Sequence, residues 1–163
     1  MSIVEGDKIP ALTLKTMVQK EGKNAPQDIS TEEIFSAKKV VLFSVPGAFT
    51  PGCSLAHLPG FVVNADKIKA AGVDTIACLS VNDVFVMGAW GEAQNASEIL
   101  MLADGNAEFT EAMGLQLDAT GFGMGTRSQR YAMIVDDGRI TALHVEQGGG
   151  IDVSSAEAIL ALL

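Results

Sequence analysis

The chain has 163 residues, 48% of them hydrophobic and 19% charged, which suits one buried core and excludes a disordered tail. Its formal charge of -9 argues against a partner made of nucleic-acid phosphates or an anionic membrane. Two cysteines, Cys53 and Cys78, exclude a disulfide framework and a four-cysteine zinc site, and two histidines, His57 and His144, are too few for most histidine metal centres. A single domain over residues 1–163 is expected. The opening run MSIVEGDKIPAL lacks a basic start and a long apolar stretch, so no secretory signal is read there. No apolar run reaches the length of a membrane span, and a cytoplasmic location with reduced thiols is expected.

In chain order, residues 11–18 alternate apolar and polar and read as an edge strand. Residues 19–29 are polar and read as a surface loop or hairpin turn. Ser30-Thr31-Glu32-Glu33 is a helix start. The apolar run at residues 40–43 marks a strand buried on both faces. A helical pattern follows over residues 53–71, with Pro59 predicting a kink. A second buried strand is read at 74–81, a helix at 82–94, a short strand at 99–103 and a short helix at 107–113. Residues 120–125, TGFGMG, form a glycine-dense loop. Residues 130–135 and 139–145 flank Asp136-Asp137-Gly138, a strong hairpin signal. Residues 154–163 close the chain as a helix capped by Ser154 or Ser155. This order is that of an α/β, thioredoxin-like fold: a central mixed β-sheet flanked by helices, with an N-terminal extension.

Cys53 follows a buried strand through Pro46-Gly47-Ala48-Phe49-Thr50-Pro51-Gly52. Pro51 suits the first helical turn and Thr50 the cap before it. Cys53 then sits at the positive end of the helix dipole, where unpaired N–H groups favour a thiolate. A cysteine so placed can titrate at roughly 3.5–7.5 and act as a nucleophile. Cys78 lies inside the second buried strand, where packing alone explains it.

The run PGAFTPGCS, with HLPGF close behind, resembles the peroxiredoxins, and its wording is similar to their type II, peroxiredoxin-five-like subfamily. Ser80-Val81-Asn82-Asp83, Ala89-Trp90 and Arg127-Ser128-Gln129-Arg130-Tyr131 extend the resemblance in order along nearly the whole chain. The resemblance implies a thiol peroxidase acting in cell redox homeostasis and antioxidant defence. Cys53 would attack hydrogen peroxide or an alkyl hydroperoxide and become a sulfenic acid. Thr50 would hydrogen-bond the thiolate and the peroxide. Arg130 would supply a fixed cation, and Pro46 would shield the pocket. No metal or organic cofactor would be needed. Arg127 is read as a support for the loop or half of an ion pair. His57, one helical turn after Cys53, can be read as a base or as a structural residue, and the family uses it for structure. Trp90, Phe49, Phe85 and Phe122 can be core or can form the apolar contact of a homodimer built through the active-site loops. Asp136-Asp137 reads as surface.

Some members of the subfamily carry a resolving cysteine before the last helix, and residues 146–155 contain none. Cys78, in a central strand, is expected to be buried and remote from Cys53. A one-cysteine cycle with an outside thiol reductant, glutathione with glutaredoxin or else thioredoxin, is therefore expected. A dithiol oxidoreductase would need Cys-x-x-Cys, and the site reads Thr-x-x-Cys. A redox-sensing module that uses the same thiol is the other alternative.

Overall fold

The computed structural model describes residues 2–163. Nine strands and five α-helices are present among them: β1 (Thr13–Lys20), β2 (Lys23–Ser30), α1 (Thr31–Phe35), β3 (Lys39–Val45), α2 (Leu58–Ala70), β4 (Thr75–Ser80), α3 (Val84–Ala93), β5 (Leu100–Ala103), α4 (Glu108–Met113), β6 (Gln116–Asp118), β7 (Thr126–Ser128), β8 (Tyr131–Asp136), β9 (Arg139–Val145) and α5 (Ala156–Leu160). Seven strands form one mixed sheet in the order β2-β1-β5-β4-β3-β8-β9, and β6 pairs with β7 apart from it. β3, β4 and β5 run parallel, joined by helical crossovers, and the remaining neighbours are antiparallel.

The two-residue period of β3 sends Val41, Phe43 and Val45 to one face and Val40 and Leu42 to the other. The first face packs against Leu58, Phe61, Trp90 and Ile159 from α2, α3 and α5. The second packs against Ile34, Phe35, Phe109 and Met113 from α1 and α4. A strand buried on both faces must be apolar throughout, which is why residues 40–43 are so readable in sequence.

The N-terminal segment differs from the sequence reading. β1 is not an edge strand: it lies between β2 and β5, and β2 is the edge. Of the two readings of residues 19–29 the hairpin turn holds, at Glu21-Gly22, but most of the segment is strand and not loop. Both turn residues have positive φ, 52° and 77°, as a type I′ hairpin demands. β2 hides from sequence because its side chains are polar and it contains Pro26, which an edge strand tolerates. Its order comes from backbone pairing with β1. The β6–β7 pair escaped the sequence reading for a similar reason, being two short strands with little apolar signal.

The second hairpin turns at Asp137-Gly138, with φ of 49° and 80°, and closes where expected. The first and last helices are capped by Ser30 and Ser155, whose hydroxyls accept from Glu33 N–H and Ala158 N–H. No helix among the described residues is long and apolar enough to cross a membrane.

Candidate active site

At the C-terminal end of β3 the chain enters the loop Pro46-Gly47-Ala48-Phe49-Thr50 and then a helix that carries Cys53. Pro46 is half-buried at the start of this loop. A Cβ on Gly47 would lie 3.1 Å from both Met124 Cε and Thr50 Cγ2, so only glycine fits there without displacing its neighbours. Ala48 N–H donates to Asn82 Oδ1, which also accepts from Ser80 Oγ. Phe49 has a φ of 65°, a left-handed conformation for a bulky aromatic, costing on the order of 1–3 kcal/mol. Strain of that kind persists only where surrounding contacts impose it.

The expected kink before Pro59 takes a specific form. Residues Cys53–His57 make a π-helical turn in which Leu58 N–H donates to the Cys53 carbonyl, five residues back. Pro59 has no N–H to continue an α-helical ladder, so the wider turn meets α2 at the proline. The turn orients Cys53 and His57 inward together, and both are buried.

Thr50 does not cap the helix with its side chain, contrary to expectation. Its Oγ1 lies 2.6 Å from the Gly47 carbonyl oxygen and 3.0 Å from Cys53 Sγ. The hydroxyl has one proton. It can donate to Gly47 while accepting from a Cys53 thiol, or turn to donate to a thiolate. No side chain caps the start of this helical turn. Arg130, between β7 and β8, reaches Cys53 Sγ with Nη2 at 3.2 Å. A cation and a hydroxyl thus converge on one sulfur that has 0% exposed surface.

Arg130 Nη1 donates to His57 Nδ1 at 2.9 Å, and His57 Nε2 donates to the Ser154 carbonyl at 2.9 Å. A base role for His57 does not fit this geometry, because its free lone pair is occupied by the guanidinium. Burial is the main reason that the His57 pKa is lowered to about 4, and the Arg130 charge reinforces it against the opposing Ser154 carbonyl and Glu146. His57 is therefore a neutral acceptor that steadies Arg130 without taking up its charge.

The remaining expectations sort cleanly. Arg127 supports the loop: Nε donates to the Met124 carbonyl and Nη1 to the Val81 carbonyl. Trp90 is core, with Nε1–H donating to Ser54 Oγ at 2.9 Å beside Cys53. Phe49, Phe85 and Phe122 are 55%, 65% and 86% exposed. Cys78 is buried in β4, and burial, with a lesser push from Cys53, raises its thiol pKa well above the usual range. The two thiols are free, and both are buried in the same large apolar cluster. Among the described residues, no group of three or more His, Cys, Asp or Glu could hold a metal ion.

Sequence reasoning missed the roles of Ser54, Asn82, Glu146 and Ser154. His57 at least sits one turn after Cys53. Ser154 lies 97 residues beyond His57, and no local signal links them.

The redoxin family model matches residues 4–160. Peroxiredoxin-2D of Arabidopsis thaliana is 44% identical, covering 99% of this chain and 98% of its own. The chain belongs to the type II peroxiredoxins. Two solved peroxiredoxin structures are also similar. Reduced Prx3 of Vibrio vulnificus, in complex with hydrogen peroxide, is 59% identical with a TM-score of 0.92 over 98% of each chain. The Plasmodium falciparum antioxidant protein, a 1-Cys peroxiredoxin, is 31% identical with a TM-score of 0.88 over 98% of each chain. The sheet and its helices are accordingly a thioredoxin-like fold. This peroxiredoxin is a thiol-dependent peroxidase, an oxidoreductase with peroxide as its oxidant.

Proposed function

We propose that Cys53 is the peroxidatic residue of a one-cysteine cycle that reduces hydrogen peroxide and alkyl hydroperoxides and draws on an outside thiol, glutathione with glutaredoxin or else thioredoxin. One arrangement carries the reading: Thr50 Oγ1 and Arg130 Nη2 stand 3.0 and 3.2 Å from Cys53 Sγ. A sulfur approached by a hydroxyl and a guanidinium is arranged for a thiolate, since both groups can donate to negative charge.

The sulfur electron pair attacks the terminal peroxide oxygen and the O–O bond breaks. The leaving oxygen departs as hydroxide or alkoxide and takes a proton, giving water or an alcohol, while Cys53 becomes a sulfenic acid. Arg130 and the helix N–H groups stabilise charge as it moves from sulfur to the departing oxygen. Thr50 orients the peroxide, and Pro46 keeps bulk water from the sulfur.

A first glutathione then condenses with the sulfenic acid, releasing water and leaving a mixed disulfide. A second releases the Cys53 thiol and glutathione disulfide. Segment 146–155 offers no thiol to replace the first glutathione, and the buried Cys78 is a poor substitute. The similar 1-Cys peroxiredoxin of Plasmodium falciparum supports the same economy of cysteines. Because Cys53 is sealed, a reductant of this size requires the π-helical turn to open after oxidation. The exposed Phe49, Phe85 and Phe122 support a homodimer through the active-site loops, and a cytoplasmic setting suits the reduced thiols.

Mass spectrometry after one equivalent of peroxide, with and without glutathione, tests the cycle. A sulfenic acid at Cys53 that becomes a glutathione adduct is expected. A Cys53–Cys78 disulfide as the main product would overturn the one-cysteine reading.

A further inference from the structure

We infer that Glu146 is a positioning residue for the peroxide reaction: its carboxylate holds Ser154 so that the Ser154 carbonyl sets the His57 tautomer, and His57 aims Arg130 at Cys53. The inference rests on the roles proposed above for Cys53 and Arg130.

Arg130 must be steered by something. Among the described residues no carboxylate lies within ion-pair distance of it, the ion pairs being Lys15–Asp28 and Lys69–Glu98. Its partner is His57 Nδ1, which can accept only while the imidazole proton sits on Nε2. The Ser154 carbonyl, 2.9 Å from Nε2, keeps it there. The hold of His57 on Arg130 therefore depends on where that carbonyl points.

The segment leading to Ser154 is poorly suited to hold it. It runs through Gly148-Gly149-Gly150, which are exposed and have no side chains to pack. Glu146 closes this segment. Its Oε2 accepts from Asp152 N–H at 2.7 Å, from Ser154 N–H at 2.8 Å and from Ser154 Oγ at 2.6 Å. His144 Nδ1–H adds a bond to the Val153 carbonyl at 2.8 Å. Three donors on one carboxylate oxygen make a charge-assisted clamp, and Ser154 beneath it is wholly buried.

The clamp is also tied to the residue it serves. Glu146 N–H donates to the Arg130 carbonyl at 2.9 Å. A closed ring results: Arg130 backbone, Glu146, Ser154, His57, Arg130 side chain. The ring fixes the guanidinium from both ends of its own residue. A carboxylate placed directly on Arg130 would divert its charge from the sulfur. A neutral imidazole steadied by a carboxylate beyond it leaves that charge available.

Stopped-flow measurement of the single-turnover reaction of the full chain with hydrogen peroxide tests this. Glu146→Ala is expected to slow the reaction roughly tenfold, as small misplacements of reacting groups do. Glu146→Gln, whose amide oxygen can still accept from Ser154, is expected to restore most of the rate. In a His57→Ala background, Glu146→Ala is expected to add no further loss, since the route through His57 is already cut. A full second loss in the double variant, or a wild-type rate for Glu146→Ala, would overturn the inference. Nitrogen NMR of the unaltered protein at neutral pH is a second check that needs no variant to fold. His57 carrying its proton on Nε2 supports the ring, and a proton on Nδ1 would overturn it. A Cys53→Ser chain that still consumed peroxide would instead overturn the assignment of Cys53 beneath it.

Discussion

Arg130 Nη1 lies 2.9 Å from His57 Nδ1, and because a guanidinium can only donate, the imidazole between Arg130 and the Ser154 carbonyl is neutral. Protonating it would set a second N–H against the guanidinium and break the bond that steadies Arg130.

This gives stability a definite pH dependence. His57 is held at about 4 when folded, mainly by burial, against an ordinary value of 6.5. Between those values the unfolded chain takes up a proton that the folded chain refuses, so stability present above about pH 6.5 is lost progressively as pH falls to about 4. The loss amounts to roughly 3 kcal/mol. Desolvation alone would raise the Glu146 carboxyl, but its hydrogen bonds from Ser154 and Asp152 outweigh that and hold it below the usual range, so Glu146 adds a loss of the same sign. Urea denaturation at a series of pH values from 7 to 4 should show the decline, and it should flatten in His57→Gln. An unchanged slope in that variant would count against His57 as the source.

Thr50 and Arg130 should be separable by conservative changes. Thr50→Val keeps the shape and removes the hydroxyl beside Cys53 Sγ, and a loss of roughly a hundredfold in the rate of peroxide reaction is expected. Thr50→Ser should keep most of the rate. Arg130→Lys keeps the charge but cannot span Cys53 and His57 with two nitrogens, and a loss of similar size is expected. Rapid-mixing peroxide kinetics would expose a near-normal rate in either severe variant.

Cys78→Ser should leave turnover with glutathione and glutaredoxin close to that of the unaltered chain. It should cost about 1–3 kcal/mol of stability, because it puts a hydroxyl into an apolar cluster. Steady-state peroxide consumption and denaturation together check both halves. A turnover loss matching that of Cys53→Ser would make Cys78 a participant.

Trp90 is the chain's one tryptophan, and its indole N–H donates to Ser54, the neighbour of Cys53. Opening of the π-helical turn would break that bond and wet the indole. A red shift in emission is therefore expected on adding one equivalent of peroxide, with recovery after glutathione. Cys53→Ser should show neither change. A constant spectrum through a full oxidation and reduction cycle would mean that the turn stays closed.

The parts of this fold that were legible in sequence are those whose order comes from side chains. β3 and β4 are apolar because both their faces are buried. The second hairpin is marked by Asp137-Gly138, whose backbone needs positive φ, and the helix starts by serines that bond their own third neighbours. β2, β6 and β7 were not legible, since edge and short strands owe their order to backbone bonds that any polar side chain permits.

The site divides along the same line. The sequence by itself singled out Cys53 as the thiol proposed to do the work, because Pro46, Thr50 and Cys53 lie within one strand–loop–helix junction where local geometry sets their relation. It also singled out Arg130 through the run before β8. Only the tertiary structure decided what holds Arg130 in place. His57 came forward as an acceptor and not a base, and Glu146 and Ser154 came forward at all, because their bonds join the π-helical turn, the residue before β8 and the segment after β9. A hydrogen bond between residues 97 apart leaves no period, spacing or composition in the chain. It exists only once the sheet has brought both partners to the same end.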